Sequence, residues 1–203
     1  MIKRALSLAL LWLTFAVIYA QTSQPTELIK NYSFEEEAKP IRNRRFGPNG
    51  VGELFGGPVP AGVIPGWILP EESVDASMMD IVTEGLLDTA QHRALRWSIE
   101  AAPATIANVG FQGIEAIEGQ QYTLTFWARA DKKYKGPLHV GLQSKATGTW
   151  YAGTTVKGKI KKRWKKYTLT FIAEGNDEKA RFVMMAVKPG VLYFDCVSLV
   201  AAD

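Results

Sequence analysis

The chain has 203 residues, of which 47% are hydrophobic and 22% charged, with a formal net charge of +4. That length and balance suit a domain with a substantial core and exclude a disordered or fully membrane-embedded chain. A single cysteine, Cys196, excludes an intrachain disulfide framework and a cysteine-based zinc site.

Residues 1–20 open with Lys3 and Arg4, continue through an apolar stretch from Ala5 to Ile18, and reach Ala20 before a polar run. This is the layout of a secretory signal peptide cleaved after Ala20, and it predicts export to the periplasm, cell surface or medium. An uncleaved anchor is the competing reading, but the apolar run falls short of the roughly 20 residues that span a bilayer. The predicted domain is therefore residues 21–203, without stable membrane insertion after cleavage.

Leu28-Ile29 reads as the first strand, followed by Asn31-Tyr32-Ser33-Phe34-Glu35. From Lys39 to Gly66 the chain is dense in Gly and Pro, as in Gly47-Pro48-Asn49-Gly50 and Gly56-Gly57-Pro58. These residues punctuate regular structure and predict a long loop. Between Ser73 and Gln91 a short helical face competes with a strand, turn and strand; Thr83-Glu84-Gly85 interrupts the helical pattern and favours strands. Period-two alternation then marks Leu95-Trp97-Ile99, Tyr122-Leu124-Phe126, Leu138-Val140-Leu142, Tyr167-Leu169-Phe171 and Phe182-Met184-Ala186. Trp150-Tyr151, between Gly148 and Gly153, reads as an exposed turn. The chain closes on Leu192-Tyr193-Phe194-Asp195-Cys196-Val197-Ser198-Leu199. Strands at this spacing predict an all-β antiparallel sandwich whose first and last strands meet.

Alternation also sorts side chains by face. Trp127 and Arg129 stand opposite Tyr122, Leu124 and Phe126, and His139 and Gln143 stand opposite Leu138, Val140 and Leu142. A sugar-binding face needs flat rings to stack on the saccharide and polar groups to meet its hydroxyls. The candidates are Trp127, Trp150 and Tyr151 for stacking, Arg129, His139 and Gln143 for hydroxyls, and Trp67 on the long loop. Trp97 and Trp164 read as packing residues, whereas Phe111, between Gly110 and Gly113, reads equally as core or as the lip of a groove.

Seven basic residues lie between Lys157 and Lys166, and outside that window acids outnumber bases. The positive balance is local and predicts no nucleic-acid partner. The window suits an acidic polysaccharide, or a solvated hairpin whose lysines discourage strand pairing, and the second is the expectation. No Gly-x-Ser-x-Gly elbow, His-Glu-x-x-His helix or phosphate loop occurs, and a carboxylate pair among 20 acids carries no signal for hydrolysis.

Several short motifs fall in a familiar order. They are the opening Asn31 to Glu35, Pro65-Gly66-Trp67, Ala94-Leu95-Arg96, Asn108 to Ile114, Gly119 to Arg129, Trp164 to Tyr167 and Phe194 to Leu199. Together they resemble carbohydrate-binding modules of families 4 and 9, and are most similar to the N-terminal module of family 51 α-L-arabinofuranosidases. The resemblance runs from Glu27 to Leu199. It implies a jelly-roll sandwich of two antiparallel sheets, galactose-binding-domain-like, that binds polysaccharide or oligosaccharide of the xylan, arabinoxylan or β-glucan class on a concave sheet face without catalysis. It also implies a structural Ca²⁺ between the first and last strands, held by Glu35 and Asp195, with Cys196 standing where many relatives carry a second acid. The chain ends four residues after Leu199, where an arabinofuranosidase continues into its catalytic barrel. It is thus expected to be a stand-alone module, or the ancillary domain of a split or truncated hydrolase whose catalytic domain would be a partner. A structural or adhesion module that binds protein is the third reading.

Overall fold

The computed structural model describes residues 26–36, 64–88, 90–110, 113–132 and 134–202. The expected signal peptide, most of the Gly- and Pro-rich loop and Phe111 lie outside the described residues. Eleven strands and one short 3-10 helix, Glu71–Ser73, are present among them. In chain order the strands are β1 (Trp67–Ile68), β2 (Ser77–Val82), β3 (Ala94–Ile99), β4 (Ala104–Asn108), β5 (Ile114–Ala116), β6 (Gln121–Ala130), β7 (Leu138–Ser144), β8 (Trp150–Thr155), β9 (Lys165–Ile172), β10 (Asp177–Ala186) and β11 (Gly190–Ala201). They form two antiparallel sheets, one ordered β1-β4-β10-β7-β8 with β5 also pairing β10, the other β2-β3-β11-β6-β9. This is the expected all-β sandwich.

The five strands with clean alternation in the sequence are β3, β6, β7, β9 and β10. Along β6, Tyr122, Leu124, Phe126, Ala128 and Ala130 are buried while the residues between them are half-buried. Such a pattern follows from one face on the core and one toward solvent. β4 behaves differently, with all five residues buried. It lies between β1 and β10, and its outer side meets the 3-10 helix through the Thr105 amide, which donates to Ser73 Oγ at 2.8 Å. The core between the sheets is aromatic, with Phe126 and Tyr167 stacked at 5.2 Å and Trp97 and Phe194 tilted at 6.4 Å.

The first and last segments meet, but not as a regular strand pair. Glu27 forms one isolated bridge with Val200, and its Oε1 accepts the amides of Ile29 and Leu199. The chain then turns through Asn31 and Phe34, both at positive φ, where the expected strand at Leu28-Ile29 gives way to turns. Asn108 holds this segment from below, accepting from the Lys30 and Gly110 amides and donating to the Lys30 carbonyl.

Two further expectations change. Trp150 and Tyr151 begin strand β8 instead of forming a turn. Residues 156–164 are not a hairpin: they cross from β8 in one sheet to β9 in the other, and Ile160, 1% exposed, pairs with Tyr134.

Candidate functional site

The outer face of the β1-β4-β10-β7-β8 sheet is built by register. Gln143 stands opposite Arg181 and Trp150, and His139 stands opposite Met185 and Thr155. A bulge between Leu142 and Gln143 in the β7–β8 pairing leaves Tyr151 as the extra, unpaired residue, and the Trp150 ring rests over Gly153, where an added Cβ would meet Cε3 at 3.1 Å. Trp150 is 36% exposed. Along β8 it shares an open cleft of about 400 Å³ with His139, Tyr151, Thr155, Glu174 and Met185.

Polar groups on this face are held in place by one another. His139 Nδ1 lies 2.8 Å from Thr155 Oγ1. Arg181 donates through Nε and Nη2 to Gln143 Oε1, at 3.1 and 2.8 Å, and Nη2 also meets Glu72 at 3.5 Å. The fork fixes the orientation of the Gln143 amide, with Oε1 facing the guanidinium. An exposed ring in a cleft with a fixed imidazole–hydroxyl pair and a carboxylate, and a preoriented amide beside Trp150 on the same sheet, are the elements that saccharide binding requires.

The predicted set does not assemble on one face. His139, Gln143, Trp150 and Tyr151 come together as described, whereas Trp127 and Arg129 lie on the outer face of the other sheet. Trp127 is half-buried, in register with Asp195 and Lys166. Arg129 is already engaged: its guanidinium carbon lies 3.6 Å from the Tyr193 ring centroid, Nε donates to the Gly85 carbonyl at 3.2 Å, and Nη1 is 3.6 Å from Asp131. Trp164 Nε1 donates to the same Gly85 carbonyl at 2.9 Å, so the β2–β3 loop reaches over this face. Trp67, expected on the ligand loop, is a core residue. It is 1% exposed, packs against Phe34 and Phe182, and donates Nε1 to the Asn31 carbonyl.

Glu35 and Asp195 occupy the junction of the opening segment and β11. Glu35 Oε1 accepts the His92 and Arg93 amides at 2.9 and 3.0 Å. Asp195 is fully buried; Oδ1 accepts the Cys196 amide at 2.7 Å, while Oδ2 has no hydrogen-bond partner. Burial first, and then the charges of Glu35 and Asp88, push the Asp195 carboxyl up to about 6. Burial and the adjacent Asp195 push the Cys196 thiol up to about 12, which keeps it protonated and unreactive at neutral pH. An orphaned buried carboxylate oxygen within the field of two further acids fits the demand of a hard cation for oxygen ligands. Among the described residues, however, no three His, Cys, Asp or Glu side chains converge as a ready metal cluster, so an ion here would need backbone oxygens.

Arg181, Glu72, Thr155 and Glu174 were not singled out from sequence. The alternation that buries Phe182, Met184 and Ala186 places Arg181 and Met185 outward, so the signal for those two was present; their apposition to Gln143 and His139 depends on β10 pairing with β7, which no local pattern reveals.

Residues 26–189 match the CBM_4_9 family, described as a carbohydrate binding domain. Among solved structures, one described as CBM4 superposes with a TM-score of 0.51 at 19% identity, covering 86% of this chain and 99% of that one. A putative sugar binding protein from Bacteroides thetaiotaomicron gives a TM-score of 0.53 at 16% identity, covering 87% and 100%. The enzymatically active domain of tailspike protein 4 from bacteriophage CBA120 gives 0.50 at 14% identity, covering 68% of this chain and 20% of that one. No curated protein matches.

Proposed function

This chain belongs to the CBM_4_9 carbohydrate binding domain family, and we propose that it is an exported, non-catalytic module that binds a neutral polysaccharide of the xylan, arabinoxylan or β-glucan class along the β8 edge of the β1-β4-β10-β7-β8 sheet. The observation that carries this reading is the cleft of about 400 Å³ in which exposed Trp150 and the fixed His139 face the same space. Trp150 supplies the stacking surface, and His139 with Thr155, together with Gln143 held by Arg181, addresses hydroxyls. The opposite outer face is a weaker candidate because Arg129 and Trp164 spend their donors on Gly85.

Export rests on residues 1–20 alone; among the described residues, no helix is long and apolar enough to cross a membrane. The orphaned Asp195 Oδ2 supports a bound Ca²⁺, with Glu35 and Asp195 as the acidic ligands and a role in stability instead of chemistry. An ancillary role beside an arabinofuranosidase barrel is compatible with the same site, since such a module would deliver a catalytic partner to the glycan it binds.

The test is calorimetric titration of residues 21–203, with Ca²⁺, against xylan, arabinoxylan and β-glucan. Saturable binding to one of them is expected and names the sugar class. Absence of binding to all three, with concentration-dependent self-association or protein capture instead, would replace this reading with the adhesion module.

A further inference from the structure

Among the described residues five connections cross between the sheets at one end of the sandwich, and three of them lie on its β6–β9 and β7–β8 side: residues 131–137 from β6 to β7, 156–164 from β8 to β9, and 187–189 from β10 to β11. These three are bound to one another. The Tyr134 amide donates to the Ile160 carbonyl at 3.0 Å, the Ala130 amide donates to the Lys161 carbonyl at 2.9 Å, and the Tyr134 hydroxyl accepts the Lys188 amide at 3.3 Å while donating to the Pro137 carbonyl. The Tyr134 ring is wedged between Gly136 and Gly190: a Cβ on either would stand 2.6 Å from its hydroxyl or 3.2 Å from its ring. One buried tyrosine therefore fixes the relative placement of all three connections.

Their charge is one-sided. Eight described lysine and arginine residues lie on these connections, all exposed, against a single acid, Asp131. Asp131 itself lies 3.6 Å from Arg129. The connections at the other end, 117–120, 145–149 and 173–176, carry Glu118 and Glu174 against Lys145 alone. The basic run noted in the sequence is thus one part of a basic half of this end that topology gathers from three separate segments, while the two other crossings there, 69–76 and 100–103 on the β1–β4 side, carry Glu71, Glu72, Asp75 and Glu100.

That end also has a cavity. Between the first and third connections lies a space of about 480 Å³, lined by Tyr134, Pro189 and Val191, by Lys132, Lys135 and Lys188, and by Asp131 as its one acid. The volume lies within the range of small-ligand pockets. The Pro189 and Val191 surface offers apolar contact to the C–H groups of a sugar ring, and the lysine ammonium groups beside it suit a carboxylate.

We propose that this basic half is a second saccharide site, selective for polysaccharides that carry carboxylates, a polyuronate being the type. It extends the saccharide reading to a different surface and is tested apart from it. A nucleic acid is the poorer fit, because the described aromatics on these connections offer no stacking platform: Tyr134 is 4% exposed, and Trp164 is half-buried and bonded to Gly85. A membrane surface is poorer still, since Ile160, the large aliphatic side chain of the long connection, points into the core at 1% exposure.

The experiment titrates residues 21–203 with polygalacturonate, carboxyl-reduced polygalacturonate, poly-glutamate and single-stranded DNA. It uses the wild type, Lys135→Gln/Lys188→Gln, and the charge-matched Lys145→Gln/Lys179→Gln away from this end. The expected result is salt-sensitive binding of polygalacturonate that weakens about tenfold or more in Lys135→Gln/Lys188→Gln, is kept in Lys145→Gln/Lys179→Gln and is lost on carboxyl reduction. Trp150→Ala leaves polygalacturonate binding intact, which separates this site from the β8 cleft: failure of neutral-glycan binding alone would sink the earlier reading and leave this one standing. Equal weakening in both double variants, or binding of poly-glutamate or DNA as tight as that of polygalacturonate, would overturn the proposal, because charge alone would then account for the attraction.

Discussion

At the residue scale, the two tryptophans that sequence reasoning ranked together now part company. Trp127 lies half-buried between Lys166 and Asp195 on one outer face, and Trp150 lies 36% exposed over Gly153 on the other. A stacked aromatic that anchors a ligand typically costs more than about 1 kcal/mol when truncated. Trp150→Ala is therefore expected to weaken neutral-glycan affinity about tenfold, whereas Trp127→Ala leaves it within about twofold, both read by calorimetry on folded protein. The reverse order would move the site to the β2-β3-β11-β6-β9 sheet. Arg181 belongs to the same argument from behind the surface: with its side chain 10% exposed and its donors on Gln143, it is a positioning residue that presents the amide and does not itself meet ligand.

At the scale of elements, β8 is an edge strand whose attachment decides where Trp150 stands. Gly141 and Gly153 face each other in the β7–β8 register, and a Cβ on Gly141 would fall 2.0 Å from the Ala152 carbonyl oxygen. That contact is backbone, so it yields only if the strands separate. Gly141→Ala is expected to destabilise the domain by about 1–3 kcal/mol and to weaken glycan binding together with stability, by denaturant unfolding and titration respectively. A variant with unchanged stability would mean that β8 docks more loosely than this register implies. The elements also explain what the sequence could and could not reveal. Strands β3, β6 and β9 were legible because each has one covered and one more open face, and β7 and β10 because large apolar residues still alternate with His139, Gln143 and Arg181 although burial continues on both faces at Gly141 and Val183. β4 was not, since β1, β10 and the 3-10 helix bury it throughout and erase alternation. The greater limit was sheet membership: β6 and β7 follow one another in sequence yet belong to opposite sheets. Their outward residues, Trp127 and Arg129 against His139 and Gln143, therefore look away from each other. Trp67 was misplaced for a related reason, because nothing local to Pro65-Gly66-Trp67 shows that β1 pairs with β4 and turns the indole between Phe34 and Phe182.

At the scale of the whole molecule, the opening segment closes the sandwich against its last strand, and Asp195 sits at that closure. Glu27 pins Leu199, and the Val197 amide donates to the Tyr32 carbonyl at 2.7 Å. Asp195 is buried among acids there, its carboxyl at about 6 against an ordinary 3.8. The sign follows from proton binding. Without metal the folded state holds this proton more tightly than the unfolded chain, so between pH 4 and 6 rising pH costs stability, about 3 kcal/mol in all at this one group, with little further change above. The readout is the difference between wild type and Asp195→Asn, which isolates this one group from the other carboxylates. In chelator, the wild type is expected to lose melting temperature relative to Asp195→Asn from pH 4.5 to pH 7. Adding Ca²⁺ at pH 7 should recover that loss in the wild type and leave the variant unmoved, because a cation beside Oδ2 supplies the charge that burial denies. If wild type and variant melt in parallel across this range and neither responds to Ca²⁺, the orphaned oxygen is satisfied by other means and the junction of first and last segments stands without an ion.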